Sequence, residues 1–123
     1  MTEPLAVIVE DDAKLADIFS SAVQAAGFVT VVAENGRIAL ELLQSQTPVL
    51  IVLDLHLPDI SGGEVLAFIQ QTEHLQKAIV MLATADAWLA ESLRADVDFV
   101  LMKPISFTQL RDLTGRLRPF TAT

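Results

Sequence analysis

The sequence lacks cysteine, is poor in basic residues and has no long apolar segment, and each lack excludes a class of protein. Without cysteine the chain forms neither disulfides nor a thiolate metal site, which favours the cytoplasm. Its 8 basic against 16 acidic residues give a net charge of −8, which opposes broad contact with nucleic acid. No apolar run approaches the roughly 18–20 residues of a membrane span, and residues 1–4 lack signal-peptide features. We therefore expect neither nucleic acid nor a membrane as a partner.

The composition that remains suits one folded domain. The 123 residues are 52% apolar and 20% charged, which favours a buried core over disorder. We expect a single domain over residues 1–123.

Short apolar runs alternate with helical patterns along the chain. The runs at residues 5–9, 28–33, 49–53, 78–83 and 99–102 have the length and composition of buried strands. Apolar residues recur at helical spacing after each run, and Asp12 is the expected N-cap of the first helix. The fourth helix, from Asp86 to about Arg94, is short. This alternation predicts an α/β fold, with helices on both faces of a parallel sheet.

Polar residues follow four of the five predicted strands. Glu10 and Asp11 follow the first, Asp54 the third, Thr84 the fourth and Lys103 the fifth. In open parallel sheets, ligands bind outside this carboxyl edge, where the strand order reverses. A core built only for stability does not need these groups, so we predict a functional site there.

The residue types at this edge suggest phosphoryl chemistry. Clustered carboxylates repel one another unless a cation is present, and Mg²⁺ takes a few carboxylates together with water and phosphate oxygens. Lys103 adds a positive charge and Thr84 a hydroxyl donor. These groups suit a phosphoryl group placed covalently on Asp54.

Each residue also has a purely structural interpretation. The acids after the first strand could cap a helix and interact with its dipole. Asp54 could be a turn former, Thr84 a cap and Lys103 a solvated surface charge. Their joint placement at strand ends, rather than any single residue, favours a site.

Several motifs, taken in order, resemble those of receiver domains of two-component response regulators. They are the stretch from Val7 to Asp12, Glu34-Asn35-Gly36 with Ala39-Leu40-Glu41-Leu42-Leu43, the stretch from Asp54 to Gly62, Thr84-Ala85 and Lys103-Pro104. The resemblance runs nearly end to end. It implies a flavodoxin-like three-layer αβα sandwich with a five-stranded parallel sheet in the order 2-1-3-4-5.

The resemblance also implies a phosphorelay switch, which is not a turnover enzyme. Asp54 would accept a phosphoryl group from a sensor histidine kinase or phosphotransfer protein in a Mg²⁺-dependent reaction, changing a surface read by a downstream protein. The implied metal ligands are Glu10, Asp11, Asp54 and the backbone carbonyl of His56, and the implied phosphoryl contacts are Thr84 and Lys103. His56 and Asp86 match positions that tune dephosphorylation, and the Lys103–Pro104 bond is usually cis in the family. We expect no effector domain in this chain, and the sequence leaves room for a homodimer.

Two features depart from the family's usual pattern. Thr84 and Lys103 are 19 positions apart, fewer than is common, so the fourth helix or its flanking loops should be short. Val100 stands where the family usually carries an aromatic switch residue, and Phe99 should point to the opposite face of the strand. We hypothesise an output signal that differs from the common one.

Three other functions fit less well. A phosphatase with an aspartyl nucleophile needs a second aspartate at position 56, which is His56. A flavodoxin-like mononucleotide binder needs Ser, Thr and Gly after the first strand, where three acids stand. A receiver that docks partners without phosphorylation does not need the acid pair, Asp54, Thr84 and Lys103, although Val100 leaves this alternative open.

Overall fold

The structure is a computed structural model that describes residues 3–121. Residues 1, 2, 122 and 123, and with them part of the N-terminal stretch considered above, lie outside the described residues. The strands are β1 (Leu5–Val9), β2 (Val29–Ala33), β3 (Leu50–Leu53), β4 (Ile79–Thr84) and β5 (Phe99–Met102). The helices are α1 (Ala13–Ala25), α2 (Gly36–Ser45), α3 (Gly62–Gln71), α4 (Ala87–Leu93) and α5 (Phe107–Thr121). Two 3₁₀ turns that the sequence did not predict lie at Glu73–Leu75 and Arg94–Asp96.

The five strands form one parallel sheet in the order β2-β1-β3-β4-β5. Its central strands, β1 and β3, are almost entirely buried, which explains their continuous apolar sequences. The register pairs Val9 with Leu53 and Leu53 with Leu82. The carboxyl ends of β1 and β3 are therefore level, β4 continues two residues further to Thr84, and the residues after these strands emerge at one edge. The predicted fold class is confirmed.

Separate apolar clusters cover the two faces of the sheet. One packs α2 and α3 against the sheet through Leu43, Val65 and Ile69, and the other packs α1 and α5 through Phe19 and Leu110. In the described part of the chain, every helix is too short or too polar to cross a membrane.

The β5 residues Phe99 and Val100 divide between these clusters. Val100 packs on the α2/α3 side and Phe99 on the α1/α5 side. This confirms the prediction that they point to opposite faces, which follows from the alternation of side chains along a strand. Helix α4 has only 7 residues, as the spacing between Thr84 and Lys103 predicts.

Candidate functional site

Three carboxylates meet at the carboxyl edge of β1 and β3. Glu10, Asp11 and Asp54 each offer an oxygen within 4.8 Å of the others. The adjacent strands bring them together, and the amide of Asp54 donates to the carbonyl of Val9 over 3.0 Å. Glu10 is 1% and Asp54 4% exposed, whereas Asp11 lies in solvent. The site therefore has two buried acids and one exposed acid.

Lys103 brings a positive charge to the two buried acids. Its Nζ lies 2.7 Å from Oε1 of Glu10 and 3.3 Å from Oδ2 of Asp54. The amide of Lys103 donates to the carbonyl of Thr84 over 2.8 Å, which extends the β4–β5 pairing up to the site. The Lys103–Pro104 bond is cis, as the resemblance implies.

Burial changes how readily these groups ionise. Desolvation raises the pKa of Glu10 from 4.5 to about 7, although the hydrogen bond from Lys103 lowers it. Desolvation lowers the pKa of Lys103, but its bond to Glu10 and the charge of Asp54 raise it above the ordinary value. Lys103 is therefore charged at neutral pH, while Glu10 changes between its protonated and ionised forms near pH 7.

The other predicted residues form a hydrogen-bonded chain beside Asp54. The amide of His56 donates to Oδ1 of Asp54 over 3.1 Å, and its ring Nε2 lies 3.2 Å from Oδ2 of Asp86. The amide of Asp86 donates to Oγ1 of the buried Thr84 over 3.0 Å. Oδ1 of Asp86 also caps α4 by accepting from Leu89. Two residues that the resemblance linked, His56 and Asp86, are thus in contact, while the role of the His56 carbonyl as a metal ligand stays a prediction.

Asp59, five positions after Asp54, makes a contact that the sequence pattern does not predict. Its carboxylate accepts hydrogen bonds from the amides of Gly36 and Arg37, at the start of α2. The sequence holds only an indirect signal of this contact, an acid in one loop and an Asn-Gly turn in another.

A family model described as the response regulator receiver domain matches residues 6–114. The chain belongs to this family. Receiver domains are signalling switches of two-component systems rather than ordinary enzymes, and they bind Mg²⁺ at an acidic site.

Individual relatives agree with this assignment. The receiver domain is 34% identical over 119 residues to the regulator of RpoS from Escherichia coli strain K12, covering 92% of this chain but only 35% of that protein. The chain therefore spans about a third of that regulator. It is 32% identical over 103 residues to the polar-differentiation response regulator DivK from Brucella anthropi, covering 81% of this chain and 84% of DivK.

A solved structure has the same fold. The response regulator TrrA from Thermotoga maritima, in complex with Mg²⁺ and BeF, is 27% identical and superposes with a TM-score of 0.81, covering 93% of this chain and 98% of TrrA.

Proposed function

We propose that this receiver domain is a phosphorelay switch in which Asp54 accepts a phosphoryl group from a sensor histidine kinase or phosphotransfer protein. The observation that carries this proposal is the position of Lys103 Nζ, between the buried carboxylates of Glu10 and Asp54. The lysine offers positive charge to a phosphoryl group on Asp54, and the three acids suit a divalent cation that offsets the rest of that group's negative charge. The proposed setting is the cytoplasm, in keeping with the absence of cysteine.

The reaction requires Asp54 as the nucleophile. One of its carboxylate oxygens attacks the phosphorus of a phosphohistidine, the bond from phosphorus to the imidazole nitrogen breaks, and the imidazole leaves. An acyl phosphate then remains on Asp54. The His56 amide, which donates to Oδ1 of Asp54, orients the carboxylate and directs the other oxygen, Oδ2, toward Lys103.

The donor set fits Mg²⁺, because Glu10, Asp11 and Asp54 offer clustered carboxylate oxygens and Asp11 is open to water. We assign the metal to these three residues and the backbone carbonyl of His56. When bound, the ion neutralises charge on the transferring phosphoryl group. Lys103 adds a fixed positive charge, and the Thr84 hydroxyl is the proposed donor to a phosphoryl oxygen.

Incubation with a small acyl-phosphate donor tests this function. We expect intact mass spectrometry to show one added phosphoryl group when Mg²⁺ is present and none when it is chelated. Asp54→Asn should remove the adduct because the amide is not a nucleophile, while Asp112→Asn, a substitution of an exposed acid on α5, should keep it. Absence of an adduct under every condition would favour the alternative of a docking module that works without phosphorylation.

The signal that the phosphorylated domain passes on is expected to differ from that of most receiver domains. Val100 stands at the usual position of the aromatic switch residue, and Phe99 packs on the opposite, α1/α5 side of the sheet. In a crystal structure with Mg²⁺ and beryllofluoride bound, Phe99 should remain in this cluster. A Phe99 side chain turned toward Thr84 would contradict this expectation.

A further inference from the structure

The loop after β3 is fastened to the start of α2 by one carboxylate. Oδ1 of Asp59 accepts from the amide of Gly36 over 2.9 Å, and Oδ2 accepts from the amide of Arg37 over 3.0 Å. These amides are among the first of α2, which have no partner within the helix. The helix has its own cap, because Asn35 Oδ1 accepts from the amide of Ile38 over 2.8 Å. Asp59 therefore supplies a second, tertiary cap from a distant part of the chain.

The same two segments are in close contact beside this carboxylate. A Cβ placed on Gly36 would lie 2.8 Å from both the Cβ and the carbonyl oxygen of Ile60. Real Cβ atoms do not approach other atoms so closely, so only glycine permits this fit. The loop is thus joined to the start of α2 by hydrogen bonds at Asp59 and by close packing at Ile60.

The chain between Asp59 and the phosphorylation site has little freedom. Leu55 is buried, Leu57 packs on the core and Pro58 has a fixed φ. The amide of Gly62 donates to the carbonyl of Leu55 over 3.0 Å and closes the loop. A displacement at Asp59 is therefore transmitted along a short, constrained segment to His56.

His56 is where this displacement would reach the site. Its amide donates to Oδ1 of Asp54, and its carbonyl is the proposed fourth metal ligand. Besides this amide hydrogen bond, the exposed ring of His56 contacts the carboxylate of Asp86. A loop released from α2 would leave the His56 backbone with less to define its position.

We propose that Asp59 is a positioning residue that holds the His56 backbone in register with Asp54 by tying the loop to α2. The functional consequence of this inference rests on the proposed function. A loosened His56 backbone should weaken the site's affinity for Mg²⁺ and slow the transfer of a phosphoryl group to Asp54. The side-chain hydrogen bonds of Asp59 go to Gly36 and Arg37, and not to Asp54 or the proposed metal ligands.

The decisive measurement is amide hydrogen exchange in the metal-free protein. In Asp59→Ala, we expect the His56 amide to exchange at least about fivefold faster, because local opening then costs less. Asp59→Asn, which keeps one acceptor oxygen, should fall between Asp59→Ala and the unmodified chain. Asn35→Ala is the matched control, because it removes a cap from the same helix but leaves the loop contact intact. Asn35→Ala should lower the melting temperature and leave the exchange rate of the His56 amide within about twofold of its value in the unmodified chain.

Gly36→Ala tests the same connection from the helix side. The added methyl group must displace Ile60, so exchange at His56 should rise although alanine favours the helix. If Asp59→Ala leaves His56 exchange unchanged, or if Asn35→Ala accelerates it as strongly, Asp59 is only a helix cap and the inference is wrong.

Mg²⁺ titration gives the second readout. We expect Asp59→Ala to raise the dissociation constant about three- to tenfold, less than the loss seen when a direct partner of a metal ligand is removed, because Asp59 acts through the intervening loop. Asn35→Ala should leave it within about twofold. If the unmodified chain binds no Mg²⁺, the proposed function fails, and the exchange measurement still decides the role of Asp59. If the chain binds Mg²⁺ equally well with and without the Asp59 side chain, the inference about Asp59 is wrong and the proposed function still stands.

Discussion

Lys103→Met is expected to destabilise the metal-free receiver domain by about 2–4 kcal/mol at about pH 8, because the largely buried ion pair with Glu10 loses its cation. The Lys103 side chain is 17% exposed, and that of Glu10 only 1%. Methionine keeps most of the aliphatic volume but leaves the buried carboxylates of Glu10 and Asp54 facing each other without a cation. Urea unfolding at fixed pH measures the loss.

The pH dependence identifies the source of this loss. Near pH 5 Glu10 is largely protonated, since burial raises its pKa to about 7, so the cost of Lys103→Met should be smaller there. The double variant Glu10→Gln with Lys103→Met should regain most of the lost stability, because removing both partners leaves less uncompensated charge. An equal cost at both pH values would show that lost packing, and not charge, causes the effect.

The strand-end rule predicted which charged side chains meet at the carboxyl edge of the sheet. Parallel strands end at the same sheet edge whatever their sequences, so the positions of Asp54 and Lys103 after apolar runs were sufficient to place their side chains in contact. The 19-residue spacing likewise predicted a short α4. Both inferences depend on chain connectivity alone.

Other features depend on side-chain direction and distant contacts. Glu10 and Asp11 are adjacent acids, yet the former is buried beside Lys103 and the latter lies in solvent. A sequence pattern gives their proximity but not the rotation of the backbone after β1. The hydrogen bond from the amide of Gly36 to Asp59 spans 23 positions and joins the start of α2 to a distant loop, so no local pattern encodes it.

The metal-free receiver domain is expected to lose stability as the pH rises from about 5 to about 8, with roughly 1–3 kcal/mol arising from Glu10. The pKa of Glu10 is 4.5 as its ordinary value and about 7 in the fold, so the folded chain holds this proton more tightly than the unfolded chain. The stabilising contribution is therefore complete below about pH 4.5 and disappears as the pH passes about 7. Chemical unfolding across this range measures the slope, and Glu10→Gln should flatten it.

Mg²⁺ should reverse this dependence, because a metal ligand must be deprotonated and the ion competes with the proton on Glu10. With a pKa of about 7 for Glu10, the apparent affinity should rise about tenfold from about pH 6 to about pH 8, with release of a proton on binding. Two nearby carboxyls do not titrate in this window. Desolvation of Asp59 is outweighed by backbone hydrogen bonds, which lower its pKa, and the hydrogen bond from Leu89 is the main cause of the lowered pKa of Asp86. Calorimetry in two buffers of different ionisation enthalpy counts the released proton. An affinity that is the same at both pH values would show that Glu10 is already ionised in the metal-free fold, and that Lys103 outweighs its burial.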